Sequence, residues 1–178
     1  KPVKVVIVGC GRIGVNLVKA LTAMGQEVTA IDENSETCRK VADELGSVII
    51  QGNGSSLQIM KDAGVARAEL VVAVTGTDET NLAVCQLAKA AFQTPRTIAL
   101  VKYPNHVALF QLLGVDTVVN TTHLIISNIE EAVPSKPLVH LLALQRDNID
   151  IVSITIPADA AVIGKSLSTI DLPPNSLI

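Results

Sequence analysis

The sequence predicts an α/β protein with a Rossmann-like doubly wound parallel sheet, and three observations carry that prediction. Short β-branched runs recur about every 20 residues. Most of these runs are apolar throughout, which suits strands covered on both faces. A glycine-rich stretch, Gly9-Cys10-Gly11-Arg12-Ile13-Gly14, directly follows the first run and opens a helical pattern.

The expected strands are residues 5–8, 28–31, 48–50, 70–74, 97–101 and 117–119. The segments between them, 13–24, 35–45, 57–63, 78–92 and 105–113, read as the covering helices. Gly25, Gly46, Gly64 and Gly114 each fall just past a periodic stretch, where a left-handed residue lets a helix stop. Asp78 and Glu79 set acids at the positive end of the fourth helix. Repeated βα connections of crossover length imply right-handed wrapping and a sheet of about six strands. The first domain is therefore expected over residues 1–120.

Beyond Asn120 the pattern changes. Leu124, Ile125, Ile126, Ile129 and Val133 follow a helical period until Pro134 and Pro137 interrupt it, and a second apolar stretch, 138–144, comes next. Residues 121–147 are expected to form a helical crossover segment. The sheet already has its helices, so the surplus apolar surface calls for a second subunit, in a homodimer or a higher ring. A new strand is expected at 151–156, followed by Gly164, Lys165, Ser168, a turn at Pro173-Pro174-Asn175 and another strand from Ser176. About 30 residues cannot close a core, so 148–178 read as the front end of a second domain.

Composition narrows the function. Seventeen acids against 14 Lys plus Arg give a net charge of −3, and only 2% of residues are aromatic. Neither nucleic acid nor an anionic membrane is a suited partner. No apolar run approaches the roughly 20 residues that cross a bilayer. The chain opens on Lys1-Pro2 with no leader pattern, and its three cysteines, Cys10, Cys38 and Cys85, are scattered. An odd, unclustered set fits a reducing compartment, so a cytoplasmic protein is expected.

The Gly9–Gly14 stretch carries the chemistry. Its first glycine suits a tight turn, its second the approach of a pyrophosphate, and its third close helix–strand packing. The helix start that follows offers N–H groups and a positive dipole end to phosphate. Asp32, 18 residues beyond Gly14 at the end of the second strand, suits the hydroxyls of an adenosine ribose or, in the plainer reading, caps the loop that follows. Glu33 follows it, and two adjacent carboxylates with no nearby Arg disfavour a 2′-phosphate, hence NAD over NADP.

Three further loops reach the same sheet edge. Asn53, with Gly54 and Ser55, reads equally as an adenine contact and as a polar turn ending in a Ser cap for the next helix. Thr75 and Gly76 offer a hydroxyl and a backbone N–H to ribose or phosphate, and Lys102 reads either as a phosphate cation or as a solvated lysine. His106, His123 and His140 lack metal-ligand spacing. Cys10 reads as a small packing residue or an oxidation-sensitive thiol. No nucleophile elbow of a hydrolase is present in the sequence.

With these residues in place, the chain resembles the potassium-transport nucleotide-binding (KTN or RCK) family, and within it the Trk-type regulators of potassium uptake. The resemblance is carried by 6–14, by Gly52-Asn53-Gly54-Ser55 and by 72–81, and is extended by Cys85-Gln86-Leu87-Ala88 and Thr94-Pro95. It spans about Val3 to Leu144, and the tail resembles the start of that family's TrkA-C domain. The resemblance implies a cytoplasmic subunit at the inner face of the cell membrane. Such a subunit binds NAD(H), or ATP and ADP, and controls a potassium-translocating membrane protein without being an enzyme. By position, the Gly9–Gly14 loop with Arg12 would hold phosphates, Asp32 the ribose, Asn53 the adenine side, and Thr75-Gly76 the other ribose or a phosphate. Many relatives carry Asp in place of Asn53 and Arg in place of Leu100, which leaves Lys102 as the cation in that region.

Two rival readings use the same fold. A dehydrogenase would need a proton-transfer group and a substrate domain, yet Tyr103 has no Lys four residues on and only about 58 residues follow Asn120. A gating module within a longer channel or antiporter chain would keep the sensing role and change its setting.

Overall fold

The computed structural model describes residues 1–46, 48–133, 138–144, 149–154, 156, 160–166 and 169–170. The sheet strands are β1 (Lys4–Val8), β2 (Glu27–Asp32), β3 (Ile49–Gln51), β4 (Leu70–Ala73), β5 (Arg96–Val101) and β6 (Thr117–Asn120). Between them run α1 (Arg12–Ala23), α2 (Ser35–Leu45), α3 (Leu57–Asp62), α4 (Asp78–Phe92) and α5 (Val107–Leu112). Every strand and helix expected before Asn120 forms, α2 and α4 with the expected ends and the others shifted by a residue or two. A 3-10 turn, Pro104–His106, takes the start of the helix expected from 105.

All neighbouring strands pair in parallel, in the order β3-β2-β1-β4-β5-β6. β1 is central, and Val5, Val6, Ile7 and Val8 are each at most 2% exposed. Its alternate residues enter different cores. Val6 and Val8 join Val71, Ala73, Met60, Cys85 and Phe110, under α3, α4 and α5. Val5 and Ile7 join Val28, Ala30, Val72, Val18 and Val41, under α1 and α2. This double coverage is why the strand sequences are apolar without alternation.

The strand order reverses between β1 and β4. The chain leaves β1 toward one edge and leaves β4 toward the other, so the loops that follow them part and open a crevice at the carboxyl ends of the strands. Gly9 has φ +100°, and a Cβ there would come within 2.9 Å of the Thr75 backbone. Only glycine allows this approach of the two loops.

Residues 1–125 form one compact unit and 126–178 another. Helix α6 (Thr121–Ala132) begins immediately after β6, and its Ile125, Ile126 and Ile129 are 50% or more exposed. The helical reading of 121–147 is corrected at 138–144. Residues 138–144 are strand β7 (Leu138–Leu144), paired antiparallel with β8 (Ile149–Ile154), the register shifting between His140 and Leu142. A seven-residue apolar run beginning after a proline has strand length, and its periodicity alone does not separate strand from helix. The strand expected at 151–156 forms as β8, beginning two residues earlier. The turn at Pro173 to Asn175, the strand from Ser176, and Pro134, Pro137 and Ser168 lie outside the described residues. Among the described residues no helix is long and apolar enough to cross a membrane.

Candidate functional site

A cavity of about 1200 Å³ occupies the crevice, walled by the loops that follow β1 to β5. On its floor the three glycines of the first loop do different work. Gly9 makes the left-handed turn, its N–H donating to the Ile31 carbonyl at 2.8 Å. A Cβ at Gly14 would lie 1.9 Å from the Gly9 carbonyl oxygen, so its bareness lets α1 seat against the loop. At Gly11 a Cβ would meet nothing within 4 Å, because that position faces the open cavity.

Gly11 is also the N-cap of α1 and supplies no side-chain cap. Two other helices of this sheet edge, α2 and α4, do carry a side-chain cap. Asn34 accepts from the Thr37 N–H at 2.9 Å to start α2, and Thr77 accepts from the Thr80 N–H at 3.3 Å to start α4. The first-turn donors of α1 are thus left to whatever occupies the cavity beside Gly11, Arg12 and Ile13.

Asp32, at the end of β2, is half-buried and braced. Its Oδ2 accepts from the Cys10 N–H at 2.6 Å and its Oδ1 from the Asn34 N–H at 2.8 Å. Each oxygen keeps a second lone pair, which suits a pair of vicinal hydroxyls. Glu33 is exposed on the same wall. The Cys10 side chain is 3% exposed, and its thiol is pushed up to about 12, first by burial and then by the charge of Asp32. Burial and this upward shift fit the packing reading of Cys10.

In the loop after β3, Gly52, Asn53 and Gly54 reach the wall. The Asn53 Oδ1 accepts from the Ser55 N–H at 2.7 Å and so makes the turn itself, leaving its amide NH₂ to offer a ligand. Ser56 sits at the N-cap of α3, as the turn reading expects, but its hydroxyl makes no cap bond. Cys10, Gly14 and Ser55, all expected at the site, support its wall without lining it.

The loop after β4 is held from α4. The Thr75 N–H and hydroxyl both donate to the Asn81 Oδ1, at 2.8 and 2.7 Å, so Thr75 keeps only an acceptor for a ligand. Gly76 is as open as Gly11, and a Cβ there would likewise meet nothing within 4 Å. The Lys102 ammonium donates to the Gly76 carbonyl, so this lysine arches over the loop. Asp78, expected merely as a helix-start acid, is 2% exposed and accepts from the Lys102 N–H at 2.9 Å, the Tyr103 N–H at 3.2 Å and the His106 Nδ1 at 2.9 Å. Burial works against its charge, but these three bonds outweigh burial and hold its carboxyl below the usual range.

Sequence reasoning counted Ile13 only as part of the phosphate loop and missed the apolar wall it forms with Leu17 and Ala20 on α1 and with Val74 and Leu100. Ile13 is 50% exposed there, a feature the helical period shows only as an apolar residue outside the buried stripe. The cavity thus combines an uncapped helix start at α1 that suits an anion, a carboxylate at Asp32 that suits a diol, and an apolar wall. Among the described residues no cluster of metal-ligating side chains occurs.

Those features lie within the span that the TrkA-N domain pattern matches, residues 5–121. The chain belongs to the TrkA-N family. The Trk system potassium uptake protein TrkA homolog of Methanothermobacter thermautotrophicus is 31% identical over 166 residues, covering 93% of this chain and 76% of that protein. The Trk system potassium uptake protein TrkA of Vibrio alginolyticus is 28% identical over 173 residues, or 94% of this chain, which spans only 38% of that relative. Among solved structures, the GsuK channel bound to NAD aligns with a TM-score of 0.70 at 22% identity, over 80% of this chain and 26% of that chain. GsuK bound to ADP aligns with a TM-score of 0.64 at 22% identity, over 72% and 34%. At such identity the likeness to GsuK establishes the fold, and it is the TrkA-N fold that these strands build.

Proposed function

We propose that this TrkA-N chain is a nucleotide-sensing regulatory module of a potassium transport system, and that its cavity takes NAD(H). ATP or ADP would use the same phosphate cradle. The observation that carries this reading is the uncapped start of α1 at open Gly11, set beside the braced carboxylate of Asp32. Gly9, Gly11, Arg12 and Ile13 would hold the pyrophosphate, Asp32 the adenosine ribose, and Asn53 with Gly54 the adenine side, while Cys10, Gly14 and Ser55 support the loops from behind. Thr75, Gly76 and Lys102 would meet the second half of the ligand. Glu33 beside Asp32 disfavours a 2′-phosphate and hence NADPH.

Preference for a dinucleotide over ATP is supported by the wall of Ile13, Leu17, Val74 and Leu100. A second ring gains from such a surface, whereas a terminal phosphate would leave water for it. Among the described residues, Lys102 is the one titratable side chain lining the β4–β5 side of the cavity, which supports a sensor over a dehydrogenase. The exposed isoleucines of α6 support a homodimer or ring, and 148–178 would open a TrkA-C domain. Such an assembly would act from the cytoplasm on a potassium-translocating membrane protein. Coupling requires that the nucleotide differ in affinity for two shapes of the assembly.

Isothermal titration with NAD, NADH, NADPH, ATP and ADP in parallel tests the reading. NAD or NADH binding well ahead of NADPH and ATP is expected. ATP preferred over NAD would move the chain to an energy-linked sensor, and no binding by any of the five would remove the nucleotide role. NADH oxidation with a panel of carbonyl compounds would instead mark a dehydrogenase.

A further inference from the structure

The first turn of α4 carries two polar side chains that are almost wholly buried, Asp78 at 2% and Asn81 at 1% exposure. Three residues apart, they share one helix face. Neither lines the cavity, yet together they grip both loops that form its β4–β5 side. Asn81 accepts the N–H and hydroxyl of Thr75 and donates its own Nδ2 to the Leu100 carbonyl at 2.8 Å. Asp78 takes the backbone N–H groups of Lys102 and Tyr103. The wall residues Thr75, Leu100 and Lys102 thus hang on two side chains of a single helical turn.

We propose that Asn81, with Asp78, is a positioning residue that selects dinucleotides, by setting in advance the separation of the two loops that receive the ligand's second nucleoside. This rests on the nucleotide reading above. An apolar residue at 81 would fill the same space without desolvating an amide, so what the amide adds is a defined geometry. AMP offers only adenine, one ribose and one phosphate, which the Asp32, Gly54 and Gly11 side of the cavity would serve. NAD must also cross to the loops that Asn81 clamps. Losing the clamp should therefore separate the two ligands.

The test is titration of the wild-type protein and Asn81→Ala with AMP and with NAD, alongside amide exchange of the nucleotide-free wild-type protein. The variant should bind NAD about tenfold more weakly and AMP within about twofold of wild type. Equal loss of both ligands would mean a merely structural role, and unchanged NAD affinity would mean no role; either overturns the inference. The exchange measurement needs no variant to fold. The Thr75 and Lys102 amides should be protected before any nucleotide is added, and exchange at free-peptide rates until NAD arrives would overturn a preset clamp. If the wild-type protein bound neither AMP nor NAD, the nucleotide reading itself would fail, and this inference with it.

Discussion

Two helices begin at the same edge of the sheet, α1 after β1 and α4 after β4, and they end their N-termini in opposite ways. At α1 the cap is a glycine, the nearest space is open, and the first-turn donors have no side-chain acceptor. At α4 the cap is Thr77, and Asp78 and Asn81 turn inward to bind backbone from neighbouring loops. The orphan donors of a helix start are equally costly in both places. One helix settles them internally and becomes scaffold, while the other leaves them open to the cavity, where the proposed reading puts the ligand.

Substitutions can break this contrast, and the largest effect belongs to Gly14. A Cβ there would press to 1.9 Å on the Gly9 carbonyl, so Gly14→Val should destabilise the protein by about 3 kcal/mol or more, seen as a lowered denaturant midpoint. Gly11→Val lies on the same loop with nothing near its Cβ. It should keep the wild-type midpoint but bind NAD roughly 100-fold more weakly by calorimetry, from losing charge-assisted bonds to phosphate.

Asp32→Ala should weaken NAD by about 1.5 to 3 kcal/mol, the cost of bonds to a charged acceptor. Unchanged affinity in the same titration would take Asp32 out of the site. At the scaffold helix, Thr77→Ala removes a cap and should cost about 1 kcal/mol of stability.

The smallest effect concerns acid. The folded Asp78 carboxyl lies below its ordinary value of 3.8, so its contribution is complete above that value and fades as pH falls through the folded one. The stability gap between wild type and Asp78→Asn should accordingly narrow below about pH 4 in acid titrations of unfolding. A gap that widened there would reverse the assigned direction.

The legibility of these features in the sequence follows their locality. β1 could be read because a central parallel strand needs apolar residues on both faces, and the Gly9–Gly14 loop because each glycine answers to a local constraint. Asp78 was visible only as a favourable charge at a helix start, which explains the residue without requiring burial. The apolar wall was not legible at all. Ile13, Leu17, Val74 and Leu100 come from separate segments, and only the reversal of strand order between β1 and β4 brings them together. The run at 138–144 defeated the helical reading because its length, not its period, decided the outcome.

The missing cap on α1 also has a consequence for the life of the protein in a cell. If the ligand supplies the absent acceptors, it completes the fold as well as filling the cavity, and the folded population becomes a function of ligand concentration. A ligand at 100 times its dissociation constant adds about 2.7 kcal/mol to the folded state. A change of that size alters how much of a chain escapes proteolysis. Cells depleted of the nucleotide would then hold less of this protein, a slower and cruder signal running beneath the fast one.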